Sequence, residues 1–368
     1  MNGANFNISG RGKRVLVSPL EWGLGHATRC IPIIRELLSL DCEVILAADG
    51  QSKVLLEKEF PQLELHSTPG YRMRYSRKKY WLPFKVILQV PKILTSIVNE
   101  RRWLKKIIKE KNIDAVISDN RFGMYNPSVH CVYITHQLQI KTGKAISDWL
   151  SRKYHYRYII KYNECWVPDC YQSPDLAGEL SHLKTLPNIP IKYIGPLSRF
   201  ENAEVKKIYD LCIVISGPEP QRAIFEDLLL KEINEYPGKI IFVRGLPDNV
   251  TIKKSTNNIE FKNHLPAKEL NEMLLQSSLF IGRSGYTTVM DLVKLQLPGI
   301  LIPTPGQTEQ EYLGKYLMTK QMFYCIEQEK FSLKQSLQAA IKFPFRIPNV
   351  SFDQYKEAIK NLVKKISV

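Results

Sequence analysis

The sequence predicts an α/β protein built from two doubly wound domains that face each other across a cleft. Short apolar runs alternate with segments of helical periodicity in both halves of the chain, which is typical of βαβ units and a parallel sheet. The length of 368 residues is large for one compact domain and sufficient for two hydrophobic cores. Because ligands bind such sheets beyond the carboxyl ends of the strands, we expect the functional site in the cleft.

The pattern divides into two series of elements joined by a linker. The first series has predicted strands at 15–18, 43–48, 115–118 and 129–135 and predicted helices through 33–38 and 54–59. The second series has predicted strands at 211–216, 239–243, 279–282 and 299–302 and predicted helices at 221–230, 265–276 and 287–295. Pro196 and mixed polar residues mark 195–205 as the linker. We therefore expect an N-terminal domain at 1–198, a C-terminal domain at 199–350, and a last helix at 351–368 that packs back on the first domain.

The composition is that of a soluble globular protein, with 44% hydrophobic and 24% charged residues. An excess of 52 Lys and Arg over 36 Asp and Glu gives a net charge of +16. This charge predicts a polyanionic partner, such as nucleic acid, an anionic membrane or a phosphorylated substrate. Seven scattered cysteines without a CxxC pair or metal-ligand spacing predict reduced thiols and no metal site. The chain has no signal-peptide core at 1–13 and no apolar run of about 20 residues, so we expect a cytoplasmic protein.

The positive charge is concentrated in the stretch 71–111, which contains 13 Lys and Arg against two Glu. Aromatic residues are interleaved with these cations, as is typical of an interfacial helix on an anionic membrane. We therefore expect a peripheral membrane contact here, with Arg72, Arg74 and Trp81 as candidate contacts to an anionic acceptor. The alternatives are a solvated helix surface for the charges and a core position for the aromatic residues.

A glycine-rich turn follows the first predicted strand and opens a helix. Gly23 and Gly25 allow a tight turn and a close approach of the backbone to a ligand, and the amides of the helix start favour an anion or a reacting oxygen. The turn lacks the third glycine of the dinucleotide fingerprint. Asp49 nevertheless ends the second strand, so spacing alone leaves a nicotinamide cofactor open.

His26 follows this turn directly and is a candidate general base, because an imidazole can remove a proton near neutral pH. Asp119 ends a predicted strand and could orient that imidazole. The alternative is that both residues only cap their local elements. His136, at the end of another predicted strand, is a second candidate.

The C-terminal half contains a second strand–turn–helix at 280–292. Its helix start, near Thr287 and Thr288, can bind a diphosphate through free amides and hydroxyls without a metal ion. Asp291 lies one turn further, where a carboxylate can accept both hydroxyls of a ribose. The next strand leads to a predicted polar loop at 307–311, whose amide and carboxylate groups suit a sugar.

These two segments resemble a known enzyme family. The segment 280–316 resembles the donor-binding motif of family 28 glycosyltransferases, whose bacterial members complete the lipid-linked peptidoglycan precursor with N-acetylglucosamine. Gly-Leu-Gly-His at 23–26, with Pro32 in the following helix, resembles the acceptor-side loop of the same GT-B group. The resemblance covers both halves, is most specific over 15–40 and 280–316, and implies two Rossmann-like domains in the GT-B arrangement.

The resemblance also implies roles for individual residues. Asp291 stands where the family has a ribose-binding Glu, Gln310 where the donor sugar is read, and Leu265 where the backbone contacts the uracil edge. Positions matched to the donor site are Ser216, Gly217, Arg222, Leu265, Arg283, Ser284, Gly285, Thr287, Thr288, Asp291, Gln307, Gln310 and Glu311. On the acceptor side the resemblance covers Gly23 and Gly25, while His136, Arg72, Arg74 and Trp81 are candidate acceptor contacts from their own sequence context. The turn 216–222 departs from the family because two prolines replace flexible residues, which leaves the donor sugar open.

The implied reaction is an inverting transfer of a hexose, such as N-acetylglucosamine, from a UDP-sugar to a hydroxyl of a glycolipid or lipid-linked acceptor. In this reaction His26, oriented by Asp119, is the base. The chain has no Asp-x-Asp motif, which fits a reaction without a metal or another cofactor. Three alternatives remain: a UDP-sugar epimerase of the same fold, a non-catalytic nucleotide-sugar-binding partner subunit, and a nucleic-acid-binding protein. The last would leave the turn 283–291 without a purpose, so we expect no nucleic-acid partner.

Overall fold

The computed structural model describes residues 12–71, 82–246, 251 and 253–366, with only the backbone given for 82–90. Within these ranges the chain forms two parallel β-sheets, one before and one after the connecting segment 194–208. Helices flank both sheets, so the predicted architecture of two doubly wound α/β domains is confirmed.

The first domain contains seven described strands and four described helices. The strands are β1 (Arg14–Pro19), β2 (Glu43–Ala48), β3 (Leu65–Ser67), β4 (Ala115–Asp119), β5 (His130–Ile134), β6 (Glu164–Val167) and β7 (Ile191–Tyr193). The helices are α1 (Leu24–Ser39), α2 (Gly50–Glu59), α3 (Leu82–Lys111) and α4 (Ala145–Ile159). All strand pairs are parallel, in the order β3-β2-β1-β4-β5-β6-β7.

The second domain repeats this topology. Its strands are β8 (Tyr209–Val214), β9 (Ile240–Val243), β10 (Ile259–Lys262), β11 (Ser277–Gly282), β12 (Gly299–Leu301) and β13 (Tyr324–Cys325). Its helices are α5 (Gln221–Glu232), α6 (Ala267–Leu275), α7 (Tyr286–Lys294), α8 (Thr308–Thr319) and α9 (Leu333–Lys342). The strand order is β10-β9-β8-β11-β12-β13, again with parallel pairs.

The strand order reverses next to the first strand of each sheet, and this reversal positions the site. In the first sheet β1 lies between β2 and β4, and Pro19 is paired with Asp119 at the carboxyl ends of β1 and β4. In the second sheet the same point lies between β8 and β11. A crevice opens where neighbouring connections leave in opposite directions, and ligands bind there.

The central strands are buried on both faces, which explains their continuous apolar runs. In β1, for example, Val15, Leu16 and Val17 have no exposed surface. Helix α10 (Gln354–Lys365) follows the second sheet but packs against α1 of the first domain. Where the two crossing segments meet, a Cβ on Gly195 would lie 3.1 Å from the carbonyl oxygen of Ser351.

The structure corrects several details of the sequence prediction. The predicted loop at 307–311 is mostly the first turn of α8, which begins at Thr308 because Glu309 and Glu311 complement the positive end of a helix. The predicted helix at 265–276 is shorter, so that Leu265 precedes it. The short strands β3, β6, β7, β10 and β13 were not predicted. None of the described helices combines the length and the apolar character that crossing a membrane requires.

Candidate active site

His26 and Asp119 meet at the strand-order reversal of the first sheet. Asp119 is the last residue of β4, and His26 lies in the first turn of α1, which follows β1. Because β1 and β4 are neighbours, the two side chains converge, and His26 Nδ1 lies 2.9 Å from Asp119 Oδ1. Asp119 is fully buried, and the imidazole is 15% exposed. The pair that the sequence predicted is therefore brought together in hydrogen-bonding geometry.

Arg29 completes this pair from one helical turn further along α1. Its Nε and one terminal nitrogen donate to the two oxygens of Asp119 as a bidentate clamp. Burial alone would raise the pKa of Asp119, but the charge of Arg29 and the contact with His26 hold it well below its usual range. Asp119 is thus a carboxylate whose charge and direction are fixed by α1.

The proton on His26 is assigned to Nδ1 by its neighbours. Asp119 can only accept a hydrogen bond there, and an unprotonated Nδ1 would place two lone pairs 2.9 Å apart. Arg29 Nη2 also lies 2.9 Å from this nitrogen, but Nη2 donates to the nearer Asp119 Oδ1, and His26 Nδ1, unlike His136 Nδ1, has a carboxylate beside it that accepts its proton. The assigned tautomer leaves the lone pair on Nε2, and no described group hydrogen-bonds that atom. His26 can therefore accept a proton at Nε2.

His136 lies in the same cluster, but both of its ring nitrogens are engaged. Nδ1 lies 2.9 Å from a terminal nitrogen of Arg29, and Nε2 lies 2.7 Å from Glu309 Oε1 of the second domain. Its ring stacks on Tyr286 with centroids 4.3 Å apart. Burial lowers the pKa of His136, so the neutral ring is favoured. His136 has no free nitrogen for proton transfer, which separates it from His26.

The start of α7 faces the start of α1 across the domain boundary. The Thr287 hydroxyl donates to the Gly25 carbonyl at 3.2 Å, and a Cβ on Gly25 would come within 2.9 Å of that hydroxyl oxygen. Glycine is therefore required at this approach. Thr288 is partly exposed, and no described group hydrogen-bonds its hydroxyl. A Cβ on Gly285, which precedes α7, would meet only the Thr288 hydroxyl oxygen, at 3.9 Å, so the amides at this positive end are accessible to an anion.

Asp291 lies one turn along α7, and it contacts the linker between the domains. Its Oδ1 accepts the Ser198 hydroxyl at 2.5 Å, and within the described ranges no donor contacts Oδ2. Burial raises the pKa of Asp291 to about 6, although Arg199 and Ser198 oppose the rise. One carboxylate oxygen thus remains available to a ligand hydroxyl.

Two arginines matched to the donor site are occupied by the protein. Arg222 forms ion pairs with Glu219 and Glu226. Arg283 is 2% exposed and donates to the carbonyl oxygens at 221, 302 and 303. The sequence analysis placed Arg222 among the candidate phosphate contacts and Arg283 among the donor-binding residues, but both guanidinium groups are bound by acceptors of the protein. Their observed contacts support the backbone that surrounds the site.

The first turn of α8 lies beside the first turn of α7. The Ser284 hydroxyl donates to the Gln310 carbonyl at 3.1 Å, which joins the two helix starts. Gln310 accepts from the Thr304 amide through Oε1 and donates to Gln307 through Nε2. Glu311 accepts from the Gly306 amide. These internal bonds hold the loop before α8 in shape, so a sugar would have to share or replace them.

The remaining matched positions lie in turns or outside the described residues. Gly23 and Gly217 have φ of 89° and 108°, so both turns use a conformation that favours glycine. Ser216 is exposed in the turn after β8, and Leu265 is buried. The predicted acceptor contacts Arg72, Arg74 and Trp81 fall outside the described residues.

In the described part of the stretch 71–111, one aromatic residue is buried, whereas several cations are exposed. Tyr71 is buried, and its hydroxyl donates to Glu100, which also pairs with the buried Arg121. Tyr71 is therefore a core residue, as the alternative interpretation held. By contrast, six cations in the described part of α3 are exposed: Lys92, Arg101, Arg102, Lys105, Lys106 and Lys109.

Sequence reasoning missed a group of three side chains in the first domain. Asp169, Asp175 and His182 place potential ligand atoms within 4.8 Å of one another. Asp169 accepts from the amides at 170, 176 and 177 and from the Ser181 hydroxyl. Asp175 accepts from the Gly178 amide and from the second domain. These hydrogen bonds from the protein explain the three side chains as groups that stabilise the conformation of residues 169–182.

Comparisons with known proteins show which enzymes this chain is similar to. The profile of the glycosyltransferase family 28 C-terminal domain matches residues 244–367, from the end of β9 to α10. The UDP-N-acetylglucosamine--N-acetylmuramyl-(pentapeptide) pyrophosphoryl-undecaprenol N-acetylglucosamine transferase of Sulfurimonas denitrificans is 24% identical over 289 residues, covering 72% of this chain and 77% of that protein. The enzyme of the same name from Clostridium tetani is 24% identical over 363 residues, covering 93% and 94%.

The structural comparison supports the fold along the whole chain. The crystal structure of the glycotransferase of kitacinnamycin superimposes with a TM-score of 0.62 at 14% identity, covering 97% of this chain and 96% of that one. At this identity the likeness establishes the fold alone. Together with the family 28 match over residues 244–367 and the relatives that span both domains, it supports a glycosyltransferase of GT-B fold that resembles the family 28 enzymes.

Proposed function

We propose that the protein is an inverting hexosyltransferase that moves a sugar, such as N-acetylglucosamine, from a UDP-sugar to a hydroxyl of a lipid-linked acceptor. The observation that carries this proposal is the His26–Asp119 pair, which leaves Nε2 of His26 without a described partner in the turn of α1 whose Gly25 contacts Thr287 at the start of α7. A base and an anion-binding helix end on opposite sides of one cleft are the two parts that direct displacement needs. The names of the relatives support the donor and the acceptor class.

The proposed reaction is a single displacement. His26 Nε2 removes the proton from the acceptor hydroxyl while that oxygen attacks the anomeric carbon. The bond from this carbon to the diphosphate oxygen breaks on the opposite face, so the anomeric configuration is inverted. UDP leaves with the bonding electrons, and Asp119 stabilises the imidazolium that forms.

The donor is proposed to bind at the start of α7. The amides at 285–288 and the Thr288 hydroxyl would face the diphosphate, and the positive end of the helix would stabilise the departing charge. Asp291 would accept the ribose hydroxyls through its free oxygen. These contacts can replace the charge of a divalent cation, and we propose that the reaction needs neither a metal nor another cofactor.

Replacing Asp291 by Ala should raise the dissociation constant of the preferred nucleotide about 10- to 100-fold, because a charged acceptor of two hydroxyls is lost. Since the pKa of Asp291 is raised to about 6, wild-type affinity should also fall as the pH drops through this value. The measurement is calorimetric titration with UDP, TDP, GDP and their sugar conjugates between pH 5 and 8, with EDTA and with Mg²⁺.

The matched control is Asp227→Ala, which removes an exposed carboxylate of α5 in the same domain. It should bind as the wild type does. Equal nucleotide affinity in the Asp291→Ala variant would remove the ribose role. Binding that requires Mg²⁺ would contradict the metal-free donor site.

A membrane-facing surface is the second part of the proposal, and it extends beyond the stretch 71–111. Helix α4 exposes Ile146, Trp149, Leu150 and Tyr154, with exposed fractions between 44% and 77%. Cations surround these apolar groups; on α4 and beside it they are Lys144, Lys153, Arg157 and Lys161. The Tyr125 ring lies against both Arg101 of α3 and Lys161 just after α4, and Lys161 also lies over the Tyr158 ring, so the cations of α3 and those at the end of α4 are adjacent. Such a face suits an anionic lipid surface.

The start of α4 lies beside the cleft, because the Thr308 hydroxyl of α8 donates to the Lys141 carbonyl just before it. A membrane on this face would bring a lipid-linked hydroxyl to the cleft opening. We therefore propose peripheral attachment at the cytoplasmic face of a membrane, in service of a cell-envelope glycan.

Vesicle binding tests this surface without any assay of transfer. The double variant Ile146→Ser/Trp149→Ser should bind vesicles of 30% phosphatidylglycerol in phosphatidylcholine at least about tenfold more weakly than the wild type, because two exposed apolar anchors are lost. Binding should weaken at high salt and in pure phosphatidylcholine. Sedimentation with the vesicles measures it.

The control is Ile224→Ser/Ile341→Ser, which removes two exposed isoleucines from the second domain. It should bind vesicles as the wild type does. An equal loss in both variants, or no loss in either, would contradict attachment through α4.

A further inference from the structure

A hydrogen bond between His136 and Glu309 joins the two domains inside the candidate active site. His136 follows β5 of the first domain, and Glu309 lies in the first turn of α8 in the second. Their contact of 2.7 Å joins His136 Nε2 to Glu309 Oε1. His136 is 3% exposed, so this bond is made in a largely dry environment where geometry matters more than at a surface.

The direction of the hydrogen bonds along this contact can be assigned. Arg29 has only donors, so the His136 Nδ1 that lies 2.9 Å from it must be an acceptor. The remaining ring proton is then on Nε2 and is donated to Glu309. A neutral His136 thus satisfies both neighbours at once, whereas a doubly protonated ring would place two donors against each other at Nδ1.

The contacts continue from His136 to the proposed base. Arg29 holds both oxygens of Asp119, and Asp119 holds His26 Nδ1. The chain Glu309–His136–Arg29–Asp119–His26 therefore runs from the second domain to the catalytic nitrogen without a gap. We propose that Glu309 is a positioning residue that acts through His136 and Arg29 to fix the orientation of His26.

The location of Glu309 gives this arrangement a role in ordering the reaction. Its neighbour Gln310 carries the carbonyl that binds Ser284 at the start of α7, so Glu309 belongs to the loop and helix that would surround the donor sugar. A change in the position of α8 is thereby transmitted to Asp119 and His26. The base is fully oriented when the donor-binding helix is seated against the first domain. This inference depends on the proposed role of His26 as the base.

The packing of Tyr286 around His136 does not explain the contact between His136 and Glu309. The Tyr286 ring stacks on His136 and its hydroxyl donates to the Pro168 carbonyl at 2.8 Å, so the imidazole is already held in its plane. What Glu309 adds is an acceptor for the Nε2 proton and a second negative charge in a cluster that contains Arg29. Both contributions act on hydrogen-bond direction, and packing can replace neither.

The test compares Glu309→Ala with Glu309→Gln. The first removes the acceptor, whereas the second keeps an amide oxygen that can accept from His136 Nε2. Proton NMR of protein labelled with ¹⁵N-histidine should show hydrogen-bonded ring N–H signals for His26 and His136, assigned with His26→Gln and His136→Gln. Glu309→Ala should lose the His136 signal and broaden the His26 signal, and Glu309→Gln should retain both.

Kinetics provide a second readout. Glu309→Ala should lower kcat about 10- to 100-fold, as expected for a misplaced catalytic group, with the donor KM within about twofold of the wild type. Glu309→Gln should recover most of kcat. The matched controls are Glu272→Ala and Glu272→Gln on the surface of α6, and neither should change the spectra or kcat.

The NMR and kinetic results separate this inference from the proposed function. A sharp, unshifted His26 signal in Glu309→Ala, or loss of the His26 signal in Glu309→Gln, would overturn the positioning role. Absence of transfer in the wild type would instead reject the proposed function, while the ring signals would still decide the connection between Glu309 and His26.

Discussion

Replacing His26 by Ala should reduce kcat for sugar transfer by about 100- to 10,000-fold, the usual contribution of a general base. The imidazole is held by Asp119 at Nδ1, which leaves Nε2 without a described partner, whereas His136 has both nitrogens engaged. No other described histidine shares this geometry. Nucleotide affinity should be unchanged, because His26 does not belong to the α7 start that would bind the diphosphate.

The measurement combines a transfer assay, using the donor identified by titration, with calorimetry of the same variant. His66→Ala is the matched control, because His66 is a partly exposed histidine of the same domain in β3, paired with Glu64. It should retain wild-type activity. Full transfer by the His26→Ala variant would reject His26 as the base, and loss of nucleotide binding would show that it contributes to the donor site.

Replacing Asp119 by Asn should affect both catalysis and stability. The side-chain amide can donate to His26 Nδ1, which moves the ring proton to Nε2 and removes the basic lone pair from the cleft. A kcat loss of about 10,000-fold is the upper expectation for such a change of tautomer. Arg29 would also lose its buried counter-charge, so the free energy of unfolding should fall by about 3–5 kcal/mol.

The pH dependence of this stability loss follows from the direction of the pKa shift. The folded-state pKa of Asp119 is depressed, so its stabilisation is complete above the ordinary Asp range and is lost only as the pH falls below it. The difference between wild type and Asp119→Asn in urea unfolding should therefore be constant from pH 6 to 8. The control is Asp227→Asn at an exposed position of α5, which should change neither kcat nor the free energy of unfolding. A wild-type kcat in the Asp119→Asn variant would contradict the role of Asp119 in orienting His26.

The sequence predicted the elements that carry the chemistry better than the contacts between them. The alternation of apolar runs and helical periodicity gave both sheets, and residues at strand ends converge because neighbouring parallel strands end together. His26 and Asp119 could therefore be paired from their places alone. Arg29 was missed, although its spacing of three residues from His26 puts both on one face of α1.

The remaining features depend on packing between distant segments. Glu309 contacts His136 only because α8 is seated on the first domain, and no local pattern encodes that contact. Arg283 resembles a phosphate ligand by residue type, but its carbonyl partners lie on other segments. The hydrogen bond between Ser198 and Asp291 could not be predicted, because it depends on how the linker packs against α7. Charge and spacing show which groups are present, and the fold decides where each one points.

The chain crosses between the domains twice, at 194–208 and again before α10, and the two crossings touch at Gly195 and Ser351. A single flexible connection would allow one domain to rotate relative to the other about any axis. Two adjacent connections allow a hinge rotation about one axis and resist rotation about the others. Substrate exchange can then open the mouth of the cleft while the Gly25–Thr287 approach closes again in the same alignment.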